Sequence, residues 1–149
     1  MGVLLYIRDS LVASAIKLDN DFPEQVWCKL RYNGHHDILV GMCYRTPTEN
    51  VYGHIAHEQL RYLFLKISDH NFILMGDFNY KGIDWSNKCS DNFSVDSRLF
   101  LECINKCFVT QHVMDLTTGT DNSLLDLIFS RDPDTVSYTH LTLPTILRV

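Results

Sequence analysis

The stretch "NFILMGDFNY", residues 71 to 80, constrains this chain more than any other. Phe72, Ile73, Leu74 and Met75 make a short apolar run that stops at Gly76, the pattern of a buried strand. Beyond the glycine, Asp77 and Asn79 alternate around Phe78, so the strand ends by handing a carboxylate and a carboxamide to one side. A carboxylate placed there can bind Mg²⁺ or orient a water, and an amide can hydrogen-bond a phosphate oxygen. Gly-Asp-x-Asn is also the wording of a turn closed by side-chain-to-backbone bonds, and the spacing taken alone favours that turn.

The rest of the chain supplies a sheet around this strand. "GVLLYIR" and "LVASAIKL" read as a hairpin across Asp9 and Ser10. "EQVWCKLRY" alternates, with Val26, Cys28, Leu30 and Tyr32 on one face and Trp27, Lys29 and Arg31 on the other. Asn33-Gly34 signals a turn into "ILVGMCYR", whose continuous apolar run suits a central strand. Ile55, Leu60, Leu63, Phe64 and Ile67 fall at helical spacing, predicting a helix over residues 55 to 68. Residues 80 to 94 read as a polar loop, "SRLFLECINKCF" as a second amphipathic helix, and "SLLDLIFS" as a closing strand. Strands and helices interleave without a strict βαβ rhythm, which predicts an α+β fold with a largely antiparallel sheet.

Length and charge exclude little but useful ground. The 149 residues suit one domain, and 46% hydrophobic with 21% charged residues is ordinary for a globular protein. A formal charge of -5 gives no global nucleic-acid footprint, although metal-dependent nuclease sites are themselves acidic. Five cysteines without a CxxC pair fit reduced thiols better than a disulfide framework or a zinc ribbon. Cys103 and Cys107, four apart, share a helix face and predict core packing. The opening "MGVLLYIRDS" is too short for a signal peptide or a membrane span, and Tyr6 breaks a myristoylation pattern.

Two further strand ends carry polar groups. Tyr44 and Arg45 close "GMCYRTP" before a proline-bearing loop. Asp126 sits among leucines, where burial without a partner would cost several kcal/mol. Ser123 suits either a strand-start cap or a hydrogen bond to phosphate. His54 and His57, three apart near a helix start, read as a solvated face. Trp85 reads as a loop anchor, and Lys81 and Lys88 as solvated lysines flanking the loop.

"GVLLYIRDS", "CYRTP", "ILMGDFN" and "LLDLIFS", in that order and spacing, resemble the endonuclease/exonuclease/phosphatase superfamily, and in particular the endonuclease domain of long interspersed element (non-LTR) retrotransposons. The resemblance runs from Gly2 to about Ser130. It implies a four-layer αββα sandwich that hydrolyses phosphodiester bonds with Mg²⁺, acting on DNA. By the same resemblance Tyr44 lies at the phosphate, Asp77 activates the attacking water, Asn79 stabilises the phosphoryl oxygens and Asp126 orients the site, with Arg45 and Ser123 at phosphate or DNA. The family's early asparagine and metal-binding glutamate would lie upstream of "GVLLYIR", and its closing Ser-Asp-His beyond Ser130. Ser68-Asp69-His70 precedes the "GDFN" strand and reads as a helix-to-strand turn.

The expectation is therefore a partial domain over residues 1 to 135, missing first strands and the last strand, and nearly inactive alone. A reverse transcriptase domain is expected downstream in the parent polyprotein, with nuclear action inside the cell and no membrane partner. "VSYTHLTLPT", residues 136 to 145, resembles one reading frame of a transposase adapter used in sequencing libraries, so residues 136 to 149 read as a non-native tail. Two other readings stand beside this one: a phosphatase of small phosphoesters on the same fold, and a non-catalytic fragment that at most binds nucleic acid.

Overall fold

The buried run that opens "NFILMGDFNY" becomes the fourth strand of a six-stranded sheet. The computed structural model describes residues 2–32, 36–47, 51–90, 94–114 and 125–134. In chain order these hold β1 (Ala13–Ile16), β2 (Gln25–Tyr32), β3 (His36–Tyr44), α1 (Val51–Ile67) and β4 (Phe72–Asp77). A short hairpin of β5 (Ile83–Asp84) and β6 (Cys89–Ser90) follows, then α2 (Val95–Lys106), β7 (Thr110–Gln111) and β8 (Asp126–Ser130). The sheet order is β1-β2-β3-β4-β8-β7. The β3–β4 pair is parallel and the other described pairs of the sheet are antiparallel. Parallel pairing needs a long return connection, which α1 provides.

Both helices cover one sheet face. Leu60, Leu63, Phe64 and Ile67 of α1 and Phe100, Leu101, Cys103 and Ile104 of α2 pack with Trp27, Cys43, Phe72, Leu74, Leu127 and Phe129 of the sheet. Phe64 meets Phe100 and Phe129 edge-on at 5.5 and 5.1 Å between centroids, geometries that add about 0.5–1.5 kcal/mol per pair beyond burial. Ser94 caps α2, its hydroxyl accepting from the Ser97 amide at 3.1 Å. Cys103 and Cys107 are free, buried thiols in this core, as their spacing predicts.

The opposite face is apolar as well. Cys28, Val40, Ile73 and Met75 form a second cluster, joined by Leu30, Ile38 and Ile128 and by Leu5 and Ile7 from the N-terminal segment. Among the described residues the architecture is thus one helical layer, one mixed sheet and an apolar far face, an α+β arrangement.

Several local expectations change. Residues 2 to 8 join no ladder: the turn at residues 8 to 11 forms, with the Leu11 amide donating to the Arg8 carbonyl, but β1 pairs with β2 instead. Trp27 is 2% exposed, lying across Gly41 of β3 under the helices. Lys29 and Arg31 share its side of the strand but lie further along, exposed and paired with Asp37 at 3.2 and 3.8 Å. Ile55 faces solvent at 47%. The loop of residues 80 to 94 contains a hairpin, because Tyr80, Ile83 and Trp85 are drawn into the core. No helix among the described residues is long and apolar enough to cross a membrane. The segment of residues 136 to 149 lies outside the described residues.

Gly76 has a φ of 154°, and a Cβ built there would overlap the Cys43 carbonyl oxygen. The β3–β4 approach therefore depends on glycine for both space and conformation. Gly76→Ala should lower unfolding free energy by about 3 kcal/mol, read as the urea midpoint times the m-value. Gly2→Ala, which meets nothing within 4 Å, should leave it unchanged.

Candidate active site at the carboxyl end of the central strands

Three neighbouring strands bring polar residues to one row. Tyr44 is the last residue of β3, Asp77 the last of β4 and Asp126 the first of β8. Tyr44 is the register partner of Asp77, and Asp77 of Asp126. Direct cross-strand partners share a face, and across the antiparallel β4–β8 pair their Cβ atoms lie about 4.5–5.5 Å apart. Alternation fixes which face: Leu127 and Phe129 point to the helices, so Asp126 and Ile128 point away, with Asp77 and Tyr44 beside them. Asp77 is 8% exposed, while Tyr44 and Asp126 are half-buried.

The residues after β4 alternate in destination. Phe78 and Tyr80 enter the aromatic core, Tyr80 stacking on Phe100 at 4.2 Å with an 8° interplanar angle. Between them, Asn79 adopts a left-handed φ of 54°, which asparagine tolerates better than most residues. Its amide donates to Asp77 Oδ1 at 3.1 Å and its Nδ2 donates to the Arg45 carbonyl at 2.6 Å. The Phe78 amide donates to the Leu125 carbonyl at 2.9 Å, tying the turn to the approach of β8. The turn reading of the wording "GDFN" thus holds. It is a side-chain-closed turn, and it stands beside a row of acidic and phenolic groups.

Arg45, expected at phosphate or DNA, is placed differently. Adjacent strand residues face opposite ways, so with Tyr44 outward Arg45 turns inward, 5% exposed. Its guanidinium donates to the carbonyls of Phe78 and Asn79 and lies 4.4 Å over the Tyr80 ring. Burial lowers the Arg45 pKa, an effect opposed by Tyr80, Asp77, Asp96 and Tyr44. Burial, then the Asp77 charge, raises that of the Cys43 thiol. Ser123 lies outside the described residues. Lys81 and Lys88 are exposed.

His57 was missed, and it is not on a solvated face. It is 8% exposed, with Nδ1 2.7 Å from the Tyr80 hydroxyl and Nε2 3.4 Å from Arg45 Nη1 and 3.5 Å from Asp96 Oδ2. His54, exposed, meets the same Asp96 oxygen at 3.3 Å. A signal was available: stepping back from Ile67, Phe64 and Leu60 along one stripe reaches position 57, whereas Ile55 is off it. A histidine on a core stripe must find polar partners.

Oxygen donors at the row suit a hard cation. Asp77 and Asp126 are opposed carboxylates, and Mg²⁺ is commonly held by one or two carboxylates together with substrate phosphates. Among the described residues no cluster of three or more His, Cys, Asp or Glu forms a self-contained metal cage.

Comparison with known proteins bears on the family and the fold. Residues 38 to 146 match the family described as endonuclease-reverse transcriptase. No curated protein matches. Among solved structures, the endonuclease domain of TRAS1, a telomere-specific non-LTR retrotransposon, superposes with a TM-score of 0.55 at 14% identity. That superposition covers 87% of this chain and 59% of the TRAS1 chain, so the present chain spans under two thirds of that domain's length. The likeness identifies the fold as the DNase I-like one.

Burial, the Arg45 charge, Arg61 and His54 hold the His57 pKa down at about 4, with Asp96 opposing them. The unfolded chain therefore takes up a proton below pH about 6.5 that the folded chain refuses until about pH 4. Stability should fall as pH drops through that window, and His57→Gln should flatten part of the slope in urea titrations. His112, also lowered by burial, keeps its own slope of the same sign.

Proposed function

The chain belongs to the endonuclease-reverse transcriptase family, and from that membership we propose that it supplies the central part of a retrotransposon endonuclease that nicks DNA. The observation that carries this reading is the row Tyr44–Asp77–Asp126, formed where β3 and β4 end and β8 begins. A nuclease needs a base toward the attacking water and polar groups around phosphorus, and this row offers both within neighbouring positions.

In this reading Asp77 accepts a proton from the water and orients it for in-line attack. Tyr44 donates a hydrogen bond to a non-bridging phosphate oxygen, and Asn79 supports the phosphoryl group through its carboxamide. Asp126 orients the row from the neighbouring strand. Mg²⁺, when bound with Asp77 and Asp126 among its oxygen donors, supplies charge neutralisation at the phosphate. The cleaved strand keeps a 3′ hydroxyl, which a linked reverse transcriptase extends. The place of action is then the nucleus, where the target DNA lies. Activity belongs to the complete domain, of which this chain carries the row.

The test uses the full-length protein encoded by the genomic reading frame and supercoiled plasmid. Conversion to open circles should require Mg²⁺ and stop with EDTA. Asp77→Ala should abolish it, and Asn79→Ala should slow it about 10²–10³-fold, the usual loss for one donor to a transition-state oxyanion. Full activity in Asp77→Ala would sink the assignment. Release of phosphate from small phosphoesters without plasmid nicking would move the substrate class instead.

A further inference from the structure

A buried guanidinium is expensive unless its donors and its charge are met. Two of the three guanidinium nitrogens of Arg45 are met by one segment, the turn that follows β4. Its Nε donates to the Phe78 carbonyl and its Nη2 to the Asn79 carbonyl, both at 2.6 Å. The Arg45 backbone answers from the same place: its amide donates to the Asp77 carbonyl at 2.9 Å, and its carbonyl accepts from Asn79 Nδ2 at 2.6 Å. Three successive carbonyls and one carboxamide of the segment carrying Asp77 and Asn79 are thereby held by one residue. The remaining contacts fix the guanidinium plane. Nη1 donates to the Thr46 carbonyl at 3.3 Å, and the Tyr80 ring lies 4.4 Å away, its hydroxyl in turn 2.7 Å from His57.

We propose that Arg45 is a positioning residue: its side-chain edge clamps the Phe78–Asn79 backbone and so fixes where Asp77 and Asn79 present their side chains. This rests on the reading of the row as the nuclease site. The chemistry selects arginine. Nε and Nη2 form one rigid edge with two parallel donors, which matches two successive carbonyls, whereas a lysine ammonium is a point donor. The clamp also accounts for the left-handed φ of 54° at Asn79, since a strained residue persists where its surroundings over-determine it.

The experiment compares the full-length protein with its Arg45→Lys variant by amide hydrogen exchange and by plasmid nicking. Arg45→Lys should speed exchange of the Asn79 amide about tenfold or more while the Trp27 and Cys28 amides of β2 stay within about twofold. Nicking kcat should fall about 10²-fold with KM for DNA nearly unchanged, because the reacting groups are displaced and the DNA surface is intact. A merely structural arginine would speed all these amides equally, and that uniform result, or none, overturns the proposal. So does an unchanged kcat alongside active wild type. Should Arg45→Lys fail to fold, the wild-type protein decides. The Arg45 Nε–H should exchange slowly and show a through-hydrogen-bond NMR coupling to the Phe78 carbonyl carbon; a fast-exchanging, uncoupled Nε–H refutes the clamp. Absence of nicking in wild type would sink the nuclease reading alone, leaving the exchange result to judge Arg45.

Discussion

The parallel approach of β3 and β4 is the constraint on which the rest of the molecule depends. At the pair Cys43 and Gly76 the two backbones come so close that a Cβ on the second strand has no room. That approach sets Tyr44 opposite Asp77 one residue later, and it delivers Arg45 within reach of the carbonyls beyond β4. It also obliges the chain to travel back along the sheet between the two strands. The helix that makes this return brings Leu60, Leu63, Phe64 and Ile67 onto one face, and α2 packs beside it on that same core. Register, helix placement and site thus follow from one contact that only glycine permits.

Much of this was legible in the residues because local pattern and burial agree there. Phe72 to Met75 has no polar interruption and is a central strand; Phe100, Cys103 and Ile104 keep helical phase and form the inner side of α2. The polar row was legible too, in that Asp77 and Asp126 both stand where an apolar strand admits a carboxylate. What failed did so for identifiable reasons. Residues 2 to 8 alternate well enough to imitate a strand, but alternation reports a half-buried extended chain and not a hydrogen-bonded partner. Alternation rightly groups Trp27 with Lys29 and Arg31, but a strand can bury one end of a face and expose the other. Ile55 was preferred to His57 on hydrophobicity, when helical phase favours the histidine.

Arg45 illustrates the same lesson at the site. Side by side with Tyr44 in the sequence, it invites a shared role at phosphate. The two-residue period of a strand sends neighbours to opposite faces, and the structure obeys the period. The polar groups beneath the row, Arg45, Tyr80, His57 and Asp96, come from the β3 exit, the β4 exit, α1 and α2. No sequence motif spans them. Their conjunction is a property of packing, which is why the outer half of the site could be read from wording and the inner half could not.

The row has a history in time as well as a place in space. Tyr44 and Asp77 are brought together by a strand, a helix and a strand that follow one another directly along the chain. Asp126 lies 49 residues beyond Asp77, past both the small hairpin and α2. Contacts separated by so much chain carry a larger closure entropy and form late. On a ribosome the first two members of the row are therefore made well before the third. Until β8 is synthesised and docks, the row lacks its third member.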